Sequence, residues 1–488
     1  MARPSLDRQR PGAELHQEIG PPPVVREYST DEHLKYGAFR MPSTAHESIM
    51  FKDLLGSDEM REIFSDGSTI SVYLEVERAL AVVQARLGLI PQEAADAIVE
   101  HAHLVNIDLG RYEKRTAVIG APILPVVEEI VAAVPGGLGE WAHYGTTTQD
   151  IMDTGIVLQI RRAFDVIERD LASISKALAN HARTYRDTPI AGRSHRQHAL
   201  PVTFGFKVAV WLSGIERHRK RLAEIRPRVL VLQFGGAAGT LASLTEHGFA
   251  IQDGLMAELD LGVPNATWHT MRDTLTEAVT FLGLMTGTLA KIGCDIALMM
   301  QTEVAEAYEP FMPGRGSSST MPQKRNPVGT EMMMIAAETV RADVLMMLGG
   351  MVQDHERASG PYKFELIALP RAFIAASAAL KHAVDILPGL EVDTARMRKN
   401  LDATHGLIVS EAVMMGLAPA MGRQTAHDIV YDACREAIAK DTTLLEVLGG
   451  MPEITKHASN DELAVMCDPA NYVGLAGEMV DRVLATLN

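Results

Sequence analysis

Residues Thr148–Thr188 read TQDIMDTGIVLQIRRAFDVIERDLASISKALANHARTYRDT and contain no proline. Apolar residues fall at Met152, Ile156, Ile160, Phe164, Ile167, Leu171, Ile174 and Leu178, in steps of three or four. That spacing gathers them on one face of a helix. Two further proline-free stretches repeat the pattern. From about Asn265 to Glu309 the series is Leu275, Val279, Leu282, Met285, Leu289, Ile292, Ile296 and Met299. From Val328 to Gly360 it is Met332, Ile335, Val340, Val344, Met347 and Met351. A helix of about 35 residues reaches ~50 Å, longer than a small domain is wide. Such helices need partners along their whole length. The expected fold is all-α, a bundle of long helices completed by other copies of the chain.

Composition agrees. Of 488 residues, 47% are hydrophobic and 22% charged, which excludes disordered, collagen-like and small disulfide-stapled proteins. Aromatics at 5% beside 25 methionines favour helix over β-sandwich. A net charge of −16 argues against a nucleic-acid partner, and any anionic ligand requires cations concentrated locally. Cys294, Cys434 and Cys467 are far apart and form no CxxC. Neither a disulfide framework nor a zinc site is expected, and a reducing cytoplasm fits. No apolar run reaches the ~18–20 residues of a membrane span. Arg3, Arg8 and Arg10 are followed by no apolar segment, so no secretory signal is expected.

Four parts are expected: an extended arm over 1–46 with Pro21, Pro22 and Pro23, shorter helices over 47–146, the long-helix bundle over 147–386, and a small helical domain over 387–488. Within the second part, Ser68 or Thr69 is expected to cap a helix running through Tyr73–Ala85. Strand alternation is weak, and GxGxxG and Walker loops are absent, so no cofactor is expected.

Three polar segments interrupt the helical pattern. Gly314–Glu331, GRGSSSTMPQKRNPVGTE, places glycines, serines, Thr320 and Pro322 before Lys324, Arg325 and Asn326, and a helix follows. This suits either a mobile anion-binding loop or a solvated hinge. Gly192–Pro201, GRSHRQHALP, brings two histidines beside Ser194 and Gln197. His143–Asp153, HYGTTTQDIMD, starts the first long helix with Thr148 as N-cap and Asp150 as a first-turn acid. Capping hydroxyls and helix N–H groups also suit a carboxylate ligand.

These segments, in this order, resemble the fumarase/aspartase superfamily. Ser318–Pro327 is similar to its GSSxMPxKxNP loop, with Ser317 where the leading glycine usually stands. GRSHRQ resembles GRTHxQ, with Ser194 for threonine, and HYGTTTQDIMDT resembles HYGxTSxDxxDT, with Thr148 for serine. The resemblance covers roughly residues 55–450. Its nearest branch is 3-carboxy-cis,cis-muconate cycloisomerase, through RPRVLVLQFGGAAGTLAS (226–243), WHTMRD (268–273) and HERASGPYKFELIALP (355–370). Gln323 stands where that branch carries histidine. Adenylosuccinate lyase lies behind it, since Thr116–Val127 lacks the histidine expected there.

The resemblance implies a three-part helical fold and a homotetramer with a twenty-helix core, three subunits contributing to each active site. It implies reversible elimination or addition on a succinyl-type polycarboxylate through an aci-carboxylate carbanion, without metal or cofactor. Ser318 is the implied base with Ser319 beside it, the run of serines leaving one position of ambiguity. His195 is the implied acid toward the leaving group, with Glu331 as its partner. Lys324 and Asn326 would stabilise the carbanion, and Thr147, Thr148, Ser194 and Gln197 would hold carboxylates. Arg272 and Arg357 are further candidate ligands, each equally readable as an ion-pair residue. Lactonising cycloisomerisation and C–N cleavage of an N-substituted aspartate both remain open.

Overall fold

In the computed structural model, which describes residues 44–487, six long helices carry the architecture. They are α1 (Asp66–Arg86), α2 (Thr148–Thr184), α3 (Phe204–Val229), α4 (Asp273–Met299), α5 (Val328–Gly350) and α6 (Lys363–Ile386). The three proline-free stretches become α2, α4 and α5. Helix α5 stops ten residues short of the expected Gly360, at Gly350, where a glycine pair weakens the helix just before the polar run that starts at Gln353. Arg357 therefore lies in a loop.

Helix α5 packs along both α4 and α6, and α2 along α3. The apolar series of the sequence is the buried seam. Phe164 of α2, Phe281 of α4 and Phe373 of α6 meet in the core, with Phe164 at 6.4 Å edge-on to Phe281 and 6.0 Å from Phe373. Truncating a buried ring of this kind to alanine costs about 3–5 kcal/mol. Helix α4 is long and apolar enough to cross a membrane. Its Leu275, Val279, Leu282, Met285, Leu289, Ile292 and Ile296 are nonetheless fully buried in the bundle. A second apolar cluster, with Val413, Leu417, Val430, Leu444 and Leu463, gathers α7 (Ser410–Met421), α8 (Arg423–Lys440) and the short helices that follow. The expected arm over 1–46 lies, except for its last three residues, outside the described residues.

Two helix starts differ from expectation. Helix α1 is capped by Ser65, whose side chain accepts from the Ser68 N–H at 3.1 Å, rather than by Ser68 or Thr69. Helix α2 is capped by Thr147, and Thr148 is its first helical residue.

The weak strand signal conceals a hairpin. β1 (Pro189–Ser194) and β2 (Gln197–Thr203) pair antiparallel, with Ser194 opposite Gln197 and a bulge between Ala191 and Arg193. A Cβ on Gly192 would lie 2.6 Å from the Leu200 carbonyl oxygen, so this bulge requires glycine. The segment holds few β-branched residues, and glycine and proline interrupt it, so no run of alternation marks it.

Candidate active site

The start of α2 is fastened by a buried carboxylate. Asp150, 1% exposed, accepts through Oδ1 from the Gly235 N–H at 2.9 Å and through Oδ2 from the Gly236 N–H at 2.8 Å. Oδ2 also accepts from the Thr147 N–H at 3.2 Å and the Thr146 hydroxyl at 3.1 Å. His269 Nε2 lies 2.7 Å from Oδ1, and its Nδ1 has no partner among the described residues. The neutral tautomer with the proton on Nε2 thus leaves no N–H unpaired. Asp150 is more than a first-turn acid complementing the helix dipole. It ties the Thr146 hydroxyl and the Thr147 N–H to the glycine-rich loop at 235–236.

One residue earlier, the Gln149 amide donates to Asp153 at 3.1 Å and to the His269 carbonyl at 2.7 Å. Its oxygen accepts from Arg357 at 2.8 Å. Arg357 donates otherwise only to the Gly236 and Ala237 carbonyls, at 3.3 and 2.8 Å. It has no carboxylate partner among the described residues, so its charge is available to a ligand. Arg272 is not. At 2% exposure it grips Asp153 at 2.7 and 2.9 Å and Glu365 at 2.9 and 2.5 Å, and its guanidinium lies 5.0 Å over the Trp268 ring. In place of a substrate carboxylate, Arg272 holds two of the protein's own, as a buried ion-pair residue. Burial works against its charge, but the two carboxylates outweigh burial and raise its pKa. Beside them, His143 Nδ1 pairs with the buried Glu77 at 2.6 Å. Burial draws the His143 pKa down, and Glu77, helped by Asp150, more than restores it, leaving it raised.

Ser194, His195 and Gln197 occupy the tip of the β1–β2 hairpin, all exposed. His195 and Arg196 form its two-residue turn, with φ of 51° and 66°. Side chains other than Gly, Asn and Asp adopt this backbone at a cost, and such strain clusters at functional sites. Behind the tip, Arg193 holds the fully buried Glu306 at 2.7 and 2.8 Å.

The 314–327 loop is closed at its neck by a bridge between Ser317 and Arg325 and by the Asn326 N–H donating to the Gly316 carbonyl at 2.9 Å. Gly316 has φ of 68°, and a Cβ there would lie 2.4 Å from the Asn326 carbonyl oxygen. Arg325 anchors the neck to Glu391 at 3.0 Å and to the Glu309 carbonyl at 2.7 Å. Inside the loop, Ser318 Oγ accepts from the Met321 N–H at 3.1 Å and the Thr320 N–H at 3.4 Å. Lys324 is exposed and has no side-chain partner among the described residues. The α5 N-terminus does not face an open anion site, because the Glu309 carboxylate accepts from Thr330 N–H at 2.8 Å and Gly329 N–H at 3.3 Å.

A family model described as Lyase matches residues 55–342, and one described as adenylosuccinate lyase C-terminus matches 406–483. This chain belongs to the fumarase/aspartase superfamily. It is 47% identical over 445 residues to trans-aconitate decarboxylase 1 of Mycosarcoma maydis, covering 91% of this chain and 90% of that one. It is 43% identical over 429 residues to 3-carboxy-cis,cis-muconate cycloisomerase of Pseudomonas aeruginosa, covering 87% and 94%. The crystal structure of fumarate lyase from Mesorhizobium sp. BNC1 superimposes with a TM-score of 0.83 at 49% identity, covering 89% and 99%.

As a superfamily enzyme the chain carries three groups of candidate residues. Thr147, Thr148 and Arg357 are joined through Gln149, Asp150 and Gly236. Ser194, His195 and Gln197 share the hairpin tip. Ser318, Ser319, Lys324 and Asn326 share one loop, with Glu331 exposed in the first turn of α5 behind it. No hydrogen bond or ion pair among the described residues joins one group to another, and His195 and Glu331 do not pair within the chain. Sequence reading missed Gln149, Asp150, His269 and Glu309 as organising residues. A signal was present for His269, within the WHTMRD segment, and for Asp150, a fixed position of the HYGTTTQDIMDT segment.

Proposed function

We propose that this superfamily enzyme acts on an unsaturated tricarboxylate, with lactonising cycloisomerisation of 3-carboxy-cis,cis-muconate as the first reading. The observation that carries it is that two cations of the candidate motifs, Arg357 and Lys324, have no carboxylate partner among the described residues and are presented with the hydroxyls of Thr147, Thr148 and Ser194. A polycarboxylate supplies the missing anions. Two relatives at 47% and 43% identity are named for unsaturated tricarboxylates.

In ring closure, a substrate carboxylate oxygen adds across a C=C bond, and the adjacent carbon becomes a carbanion stabilised as an aci-carboxylate. Lys324 and Asn326 offset that charge, and Ser318 delivers the proton that it removes in the reverse direction. Ser318 is favoured over Ser319 because the two N–H groups aimed at its oxygen stabilise an alkoxide. The attacking carboxylate carries no proton in ring closure, so His195 orients it there and acts as a general acid only toward a leaving amine, with Glu331 of another copy as its partner. Gln197 and the Ser194 hydroxyl bind a carboxylate beside it. Arg272 acts at one remove, holding Asp153 and so Gln149 and Arg357.

The three motifs meet in a cytoplasmic homotetramer whose long helices pack into a common core, the chain dividing at about 147 and 387 into three helical parts.

Two other reactions also pass through a carbanion. In decarboxylation of an aconitate-type tricarboxylate, a C–C bond breaks, CO₂ leaves and the carbanion takes up a proton; the decarboxylase relative favours this second reading. In C–N cleavage of an N-substituted aspartate the amine leaves and fumarate is released; the fumarate lyase structure favours this alternative.

The test is to incubate wild type and Ser318→Ala with 3-carboxy-cis,cis-muconate and follow the diene absorbance. Loss of absorbance with wild type alone is the expected result. No loss, with CO₂ released from trans-aconitate or fumarate released from an N-substituted aspartate, overturns the first reading in favour of the corresponding one.

A further inference from the structure

A half-open cavity of about 250 Å³ lies between the hairpin, the first turn of α3 and the C-terminal end of α4. Its walls include Arg193, Arg196, Lys207 and Asp295, closed on one side by Leu298 and Met299, and none of Ser194, His195 or Gln197 lines it.

The charges do not balance. Four cations gather here: Arg193, Arg196, Lys207 and Lys291. They face two carboxylates, and both are already occupied. Glu306 is gripped by Arg193 and by Asn400 at 2.8 Å. Asp295 accepts from Trp211 Nε1 at 2.9 Å and pairs with Lys291. Lys207 and Arg196 have no hydrogen bond or ion pair among the described residues. Lys207 is half-buried, and burial lowers its pKa, with Lys291 and Arg193 adding to the effect against Asp295 and Glu306. A partly desolvated ammonium beside other cations is costly unless an anion joins it. In a chain of net charge −16 such an excess is a local feature with its own cause.

We propose that this cavity binds a small oxyanion ligand, a di- or tricarboxylate or a phosphate, held by Lys207 and Arg196. Lys207 supplies a point charge where Arg196 supplies a planar fork.

The proposal does not depend on the substrate assigned above. The experiment is calorimetric titration of citrate, and separately of inorganic phosphate, into the full-length protein at low ionic strength. The variants are Lys207→Met, Arg196→Gln and Lys324→Met. The expected result is a binding event that Lys207→Met and Arg196→Gln each weaken about tenfold, the loss of one charge-assisted contact, and that Lys324→Met leaves intact. The two ligands distinguish a carboxylate from a phosphate source. Lys207→Met keeps the length of the stem and removes the buried charge, so it is expected to unfold no more readily than wild type without anion. If it fails to fold, the exposed Arg196→Gln decides. The proposal is overturned if Lys324→Met abolishes all anion binding, or if Lys207→Met and Arg196→Gln bind as tightly as wild type. It is equally overturned if wild type binds neither anion while Lys207→Met loses its assembly, because a carboxylate of a neighbouring copy then fills the cavity.

Discussion

Replacing Arg272 by methionine removes one guanidinium and leaves two buried carboxylates, Asp153 and Glu365, facing each other without a counter-charge. Arg272 is 2% exposed and makes four hydrogen bonds to them, and no other cation pairs with either among the described residues. Breaking a buried ion pair from one side costs about 3–5 kcal/mol. Loss of the Trp268 contact adds roughly 0.5–2 kcal/mol. The cost depends on pH with a definite sign. Burial already holds the Glu365 carboxyl above its ordinary value, and Arg272 is the main influence holding it down. Without Arg272 it rises further. A carboxyl whose folded pKa is raised destabilises the fold at neutral pH and ceases to do so as pH falls through that pKa toward the unfolded value. Urea unfolding at fixed protein concentration, at pH 7.5 and at pH 5, measures both effects. The variant is expected to lose about 3.5–7 kcal/mol at pH 7.5 and appreciably less at pH 5. A loss under 1 kcal/mol, or one that does not change with pH, refutes the reading of Arg272 as the buried counter-ion of this cluster.

Two further outcomes are expected. Burial, with Arg221 and Arg217, holds the His218 pKa down to about 4. A depressed histidine pKa means the unfolded chain binds the extra proton, so His218 withdraws stability as pH falls from about 6.5 toward 4. His218→Gln, which can still meet the Thr288 hydroxyl, should flatten the stability profile in that window; an unchanged profile rules the assignment out. Gly316→Ala forces a Cβ into the Asn326 carbonyl at a left-handed position. Turnover should fall at least tenfold while the circular dichroism spectrum stays that of wild type, and full activity would mean that the loop neck tolerates repacking.

The long helices were legible because a 3.6-residue period sustained over many turns has one physical meaning. The 314–327 loop was legible because glycine, serine and proline cannot continue either flanking helix. Other features depend on contacts that no local pattern carries. A first-turn aspartate looks the same in sequence whether it meets water or, as Asp150 does, the buried amides of Gly235 and Gly236. An arginine near a polar motif reads as a ligand until its partners, 119 and 93 residues away, prove to be Asp153 and Glu365. The hairpin holding His195 was hidden because its backbone is shaped by a two-residue turn and a glycine bulge, with little β-branched content.

The central claim is that three motifs, separate within one chain, act together when copies of the chain assemble. Ser318→Ala and His195→Ala should each be inactive alone. Denatured together and refolded as mixed assemblies, they should recover a substantial fraction of wild-type turnover, because some sites then draw an intact loop from one copy and an intact hairpin from another. Mixed assemblies that form and remain inactive would contradict the account, placing Ser318 and His195 of each site on the same chain.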